Sequence, residues 1–152
     1  DESDIRENGN FKMNPPLRGK EDRLALIEGI MDGTIDMIAT DHAPHSEEEK
    51  NKGLKDSLFG VVGLETAFPV LYTNLVKKGI ISLEKLIDLM AINPRKRFNI
   101  KFNGFSVWNL EKKYKINTND FLSKGKSTPF DGKIVYGENY LTIFNKNIVY
   151  KK

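Results

Sequence analysis

Eight residues constrain this chain more than any others: Ile38-Ala39-Thr40-Asp41-His42-Ala43-Pro44-His45. Apolar and small residues run into an acid and two histidines, and a proline then stops any regular continuation. The run predicts a short buried strand over residues 35–40, between Gly33 and Pro44. Its nearly continuous apolar character suits a parallel sheet covered on both faces. Such a strand would deliver a carboxylate and an imidazole to the carboxyl end of the sheet, where parallel α/β barrels hold their chemistry. Alone, an Asp-His pair has a plainer reading, in which Asp41 caps a turn and the histidines decorate it.

The flanking segments change that balance. Upstream stand Lys12-Met13-Asn14-Pro15-Pro16-Leu17-Arg18 and Asp32-Gly33-Thr34-Ile35-Asp36. Downstream follow Phe59-Gly60, Gly63-Leu64-Glu65-Thr66, Asn93-Pro94 and Ser123-Lys124-Gly125-Lys126-Ser127-Thr128-Pro129-Phe130. In this order they resemble the carboxyl-terminal part of a dihydroorotase of the bacterial class I type, within the metal-dependent amidohydrolases. The resemblance is tightest from Phe11 to about Phe98. Hydantoinases and allantoinases look similar in outline.

The resemblance implies an α/β fold: the last part of a (β/α)8 TIM-like barrel, followed by strands of a small β-sandwich. It implies residues 1–100 in the barrel and 101–152 in the sandwich. A full barrel takes about 250 residues, the chain starts on Asp1 and one confident barrel strand is visible, so it reads as a piece of a larger enzyme. Its implied partners are a small-molecule substrate, the missing amino-terminal portion, and a second copy or aspartate transcarbamoylase.

For the site, the resemblance makes Asp41 both a metal ligand and the catalytic base and acid. It places His45 on the substrate's carboxylate, Asn14 on the substrate ring, and the backbone of Phe59 and Gly60 facing the substrate. An amide suits a cyclic amide because it offers both donor and acceptor. His42 matches no ligand or substrate role and reads as a supporting or packing residue. Arg18 could pair with an acid or serve structure alone. The implied cofactor is zinc, one or two ions in the complete enzyme. Catalytic zinc normally takes three protein ligands, and only Asp41 matches one, so the chain alone is expected neither to retain zinc nor to turn over substrate. The family's other ligands would lie upstream. An inactive scaffold that binds a partner is the competing, non-enzymatic reading.

Composition mainly excludes. The absence of cysteine rules out disulfides and thiolate metal sites. A net charge of +3 from dispersed lysines gives nucleic-acid binding no support. No apolar run approaches a membrane span, and the composition suits a cytoplasmic globular domain. Gly125-Lys126-Ser127 imitates the end of a phosphate-binding loop, but position 120 is Asp120 where a glycine is required.

Periodicity fills in the rest. Leu24, Ile27, Ile30 and Met31 share a helical face over residues 21–31, with Gly33 placed to end the helix. The acid- and lysine-rich stretch from Ser46 to Ser57 reads as a solvated, mobile loop. Gly63 to Lys77 reads as a helix that Pro69 kinks or begins. Ser82 caps another, striped by Leu83, Leu86, Ile87 and Met90, and Asn93-Pro94 opens a third. Five short apolar-aromatic runs between Phe105 and Tyr150 read as strands, separated by turns such as Asp131-Gly132 and Asn145.

Overall fold

The computed structural model describes residues 1–152, which group into two compact units interleaved along the sequence. Residues 1–35, 39–67 and 116–133 form the first; residues 36–38, 68–115 and 134–152 form the second. The chain is α/β, with short helices and one small antiparallel sheet.

In the first unit, α1 (Lys20–Asp32) starts where the Asp22 carboxylate accepts the Gly19 N–H at 3.1 Å. It ends at Gly33, whose φ of 91° is the left-handed stop. The helix forms as expected, but its stripe is only partly covered: Ile27 and Ile30 are half-buried, and Leu24 and Met31 are 49% and 58% exposed. The stretch expected to be a mobile loop is instead ordered as α2 (Glu47–Lys50) and α3 (Gly53–Asp56). Ser46 and Glu49 build a reciprocal capping box, with Glu49 N–H donating to Ser46 Oγ and Ser46 N–H to the Glu49 carboxylate. The unit's buried residues include Val62, Thr66, Ile116 and Thr128.

The strand expected over residues 35–40 is absent. A strand exists only through a ladder to a neighbour, and these residues find none. The Ile38 N–H goes instead to the Leu89 carbonyl at 3.0 Å. Pairing begins two residues beyond it, as an isolated parallel bridge between His42 and Val61.

In the second unit, α4 (Ala67–Leu71) carries Pro69 in its first turn, where the missing N–H costs nothing, and widens into a π-helical turn over Tyr72–Val76. Ser82 caps α5 (Leu83–Ile87) through its hydroxyl. A second π-helical turn, Asp88–Ile92, runs directly into α6 (Asn93–Phe98). Asn93 therefore does not cap a separate helix; its side-chain amide donates to the Asp36 carbonyl at 2.8 Å. Leu86 and Leu89 are fully buried.

The five expected runs merge into three strands in the order β1 (Gly104–Lys115), β2 (Ile134–Phe144), β3 (Asn147–Lys151), all antiparallel. Asn145 and Lys146, both at positive φ, make the tight β2–β3 turn. Gly137 does not break β2. Its φ of 90° and the Phe68 ring, 3.2 Å from where a Cβ would stand, explain why glycine is there. Phe68 packs on Trp108 with ring centroids 4.2 Å apart.

Candidate active site

All five residues singled out from the sequence lie in the first unit. Asp41 sits at φ 44°, a left-handed conformation that aspartate adopts more readily than most residues. Its side chain is exposed and makes no hydrogen bond or ion pair with the protein. The segment around it is braced from one side by residues 60–63. The Ala43 N–H donates to the Val61 carbonyl at 3.0 Å, and a Cβ on Gly63 would stand 3.0 Å from the Thr40 carbonyl. His42 completes the brace: its Nδ1 accepts the Gly63 N–H at 3.2 Å. Through this accepting Nδ1 His42 supports the loop.

His45 touches the Phe59–Gly60 pair directly. Its Nε2 lies 2.8 Å from the Phe59 carbonyl, which can only accept, so Nε2 carries the proton. Its Nδ1 faces the Glu49 carboxylate at 3.5 Å, an ion pair whenever the imidazole is protonated. The Ser46 backbone and hydroxyl, then His45, hold the Glu49 carboxyl below the usual glutamate range. A substrate carboxylate reaching Nε2 would compete with Phe59 for that proton. Gly60 needs its hydrogen side chain here: φ is 123°, and a Cβ would stand 2.6 Å from Ala43 Cβ and 3.2 Å from His45 Nε2.

Asn14 joins through the chain two residues before it. The Gly60 N–H donates to the Lys12 carbonyl at 3.0 Å, and the Lys12 ammonium sits 4.4 Å from the Phe59 ring centre. Thus His45, Phe59 and Gly60 meet by contact and Asn14 is tethered beside them, while Asp41 stands free with its neighbours held in place.

The Gly125-Lys126-Ser127 segment has a different use from phosphate binding. A Cβ on Gly125 would stand 2.8 Å from both the His45 carbonyl and Pro44 Cβ, so the glycine lets this segment lie flat against the histidine loop. Ser127 accepts the Val62 N–H through its carbonyl and donates its hydroxyl to Asn10 at 2.6 Å. A polar hollow of about 440 Å³ opens beside it, walled by His45, Lys50 and Ser127 among others, but not by Asp41 or Asn14.

Lys12, Lys50 and Gly125 were not visible as site residues in the sequence. The Ser46-x-x-Glu49 spacing is a capping-box signature and could have shown that the charged stretch begins a helix.

A lone carboxylate suits zinc as one donor of a set. The chain brings no group of three or more histidine or acidic side chains within reach of one ion, short of the three protein ligands of a catalytic zinc site.

No family model matches the chain. A dihydroorotase of Bacillus thuringiensis (strain Al Hakam) is 52% identical over 94% of it, and one from Bacillus cytotoxicus is equally so. The chain spans about a third of those relatives, 35% of their length. Among solved structures, an L-hydantoinase from Arthrobacter aurescens superposes with a TM-score of 0.85 at 34% identity, covering 93% of this chain and 34% of that one. A D-hydantoinase from a Thermus species shares the fold at 0.83 and 20% identity, covering 94% and 34%. The chain is thus related to the cyclic-amide amidohydrolases. Within that class it is a homologue of the dihydroorotases.

Proposed function

We propose that the protein containing this chain is a dihydroorotase, interconverting N-carbamoyl-L-aspartate and L-dihydroorotate in pyrimidine synthesis. The 52% identity to dihydroorotases across nearly the whole chain carries this reading. In it, residues 1–100 are the closing part of a (β/α)8 barrel, residues 101–152 belong to a small β-sandwich, and the preceding portion supplies the other metal ligands. In this reading the enzyme is cytoplasmic, and its partner is a second copy or aspartate transcarbamoylase.

Asp41 is the proton shuttle. Its carboxylate has no protein partner to hold it back, so it is free to take a proton from the attacking water and return it to the leaving ring nitrogen. Zinc, held by Asp41 with donors outside this chain, would supply polarisation of the carbonyl and a water of pKa about 7. His45 and Asn14 hold the substrate's carboxylate and ring, against a wall formed by Phe59 and Gly60.

Asp41→Asn in the complete protein is expected to lower kcat by on the order of 10²–10⁴, the usual loss when a general acid–base is removed. Retention of more than about a tenth of kcat refutes the role. The 152-residue chain alone is expected to bind zinc weakly and to be inactive, because the resemblance matches only Asp41 to a ligand where a catalytic zinc normally takes three. Calorimetric titration with zinc and a dihydroorotate assay check this; tight binding with turnover contradicts it.

A second reading, hydrolysis of another cyclic amide, is favoured by the 34% identical L-hydantoinase. Parallel assays with dihydroorotate, a hydantoin and allantoin separate the two. An inactive scaffold is disfavoured because the sequence keeps Asp41, Asn14 and His45, all three of which partner binding does not require.

A further inference from the structure

Lys50 is the most unusual ionisable residue of the chain. It sits in a run of three glutamates followed by lysine, yet is only 5% exposed. No carboxylate pairs with its ammonium. Instead the three N–H bonds meet three backbone carbonyls, those of Leu58 and Gly60 at 2.7 Å and of Lys12 at 3.1 Å. That uses every donor an ammonium has. Burial, and secondarily the charge of Lys12, pull this ammonium below the usual lysine range. The fold accepts that cost and builds tightly around the residue. A Cβ on Gly9 would stand 2.0 Å from the Lys50 carbonyl, and the Ser57 hydroxyl lies 2.8 Å from the same oxygen.

The three carbonyls are not an arbitrary set. Leu58 and Gly60 flank Phe59, so Lys50 grips the chain on both sides of the residue whose carbonyl meets His45. Lys12 lies two residues before Asn14, and its carbonyl also accepts the Gly60 N–H. One point charge therefore joins both substrate-facing segments. Three carbonyl dipoles converging on a dry point repel one another unless a cation sits between them. A compact ammonium can aim at all three; the flat guanidinium fork of arginine cannot.

We propose that Lys50 is a positioning residue for substrate binding: its buried ammonium locks the Leu58–Gly60 wall and the approach to Asn14 into one rigid surface. The proposal rests on the cyclic-amide reading of the site for its substrate, but not for its geometry. A lysine that merely stiffened the 46–58 stretch would change stability and leave substrate affinity of the folded protein untouched.

The test uses Lys50→Met and Lys50→Arg in the complete protein, with kinetics, zinc content and amide exchange of Gly60 in the unliganded state. In Lys50→Met, KM for dihydroorotate should rise on the order of tenfold while kcat stays within about threefold, the pattern of lost ground-state binding. Zinc content should match wild type, and the Gly60 amide should exchange faster. Lys50→Arg should recover part of both effects. A folded Lys50→Met with wild-type KM and Gly60 exchange overturns the proposal, as does an activity loss that tracks only the folded fraction. Should Lys50→Met fail to fold, Lys50→Arg decides: wild-type KM and exchange there overturn it, and intermediate values support it. If the wild-type protein does not turn over dihydroorotate, the functional reading fails, and Gly60 exchange with KM on the accepted cyclic amide still decides the role of Lys50.

Discussion

Gly125→Ala places one methyl group at the tightest backbone approach to the histidine loop. The new Cβ would stand 2.8 Å from the His45 carbonyl and Pro44 Cβ and 2.9 Å from the His45 nitrogen, where ordinary contact begins at 3.4 Å. Two of those three neighbours are backbone atoms, so the loop must retreat by about 0.6 Å or the Gly125 segment must lift off it. The glycine is not in the left-handed region, so alanine brings no backbone strain and the steric effect is isolated. Overpacking of this kind costs about 1–3 kcal/mol. Because a misplacement near 1 Å costs on the order of 10²-fold, kcat/KM should fall roughly tenfold. Gly79→Ala is the control: it has open space around it but φ 70°, so it should lose about 1–2 kcal/mol from strain and leave kcat/KM unchanged. Denaturant unfolding and steady-state kinetics on both variants of the complete protein read the difference. Wild-type stability and kcat/KM in Gly125→Ala would refute the argument.

His45→Ala should raise KM for dihydroorotate on the order of tenfold with zinc content preserved, as expected for lost ground-state binding; stoichiometric zinc loss in metal analysis would move His45 onto the ion. Tyr114, pushed up to about 12 by burial, then by Glu138 and Tyr150, should ionise late in an alkaline titration. Its neutral form is favoured in the fold, so the stability it contributes is present below pH 10 and lost as pH rises through about 12. Near-ultraviolet phenolate titration, with Tyr114→Phe removing the late step, checks this.

Local chemistry was the legible part of the sequence. Gly33 ends α1, Ser82 caps α5 and Pro69 sits in a first turn, because each acts through its own backbone or hydroxyl. The apolar run over residues 35–40 and the stripe on α1 record surfaces that this chain covers only in part: Ile27, Ile30, Ile35 and Ile38 are half-buried, whereas Leu24 and Met31 are exposed. Pattern alone cannot say where a partner surface comes from. The charged stretch after His45 misled for the opposite reason: Lys50 is buried by converging carbonyls, which carry no side-chain signature. Of the contacts around the candidate site, the residues expected from motifs include His45, Phe59 and Gly60, which meet, whereas Lys12, Lys50 and Gly125 beside them emerge only in three dimensions.

The clasp between Ser127 and Asn10 spans 117 positions, and Glu65 likewise reaches across to the Leu122 and Ser123 amides. On a ribosome, which releases the chain from its amino end, the histidine loop would be exposed long before its last brace exists. Residues 116–133 must leave the exit tunnel before this unit can close. Closing so long a loop adds an entropic barrier that short-range contacts do not face, and it slows the search. Until then the histidine loop sits on an open, half-formed surface, so premature termination before Ile116 should yield a product that never acquires the part of the hollow's wall built from residues 118–127.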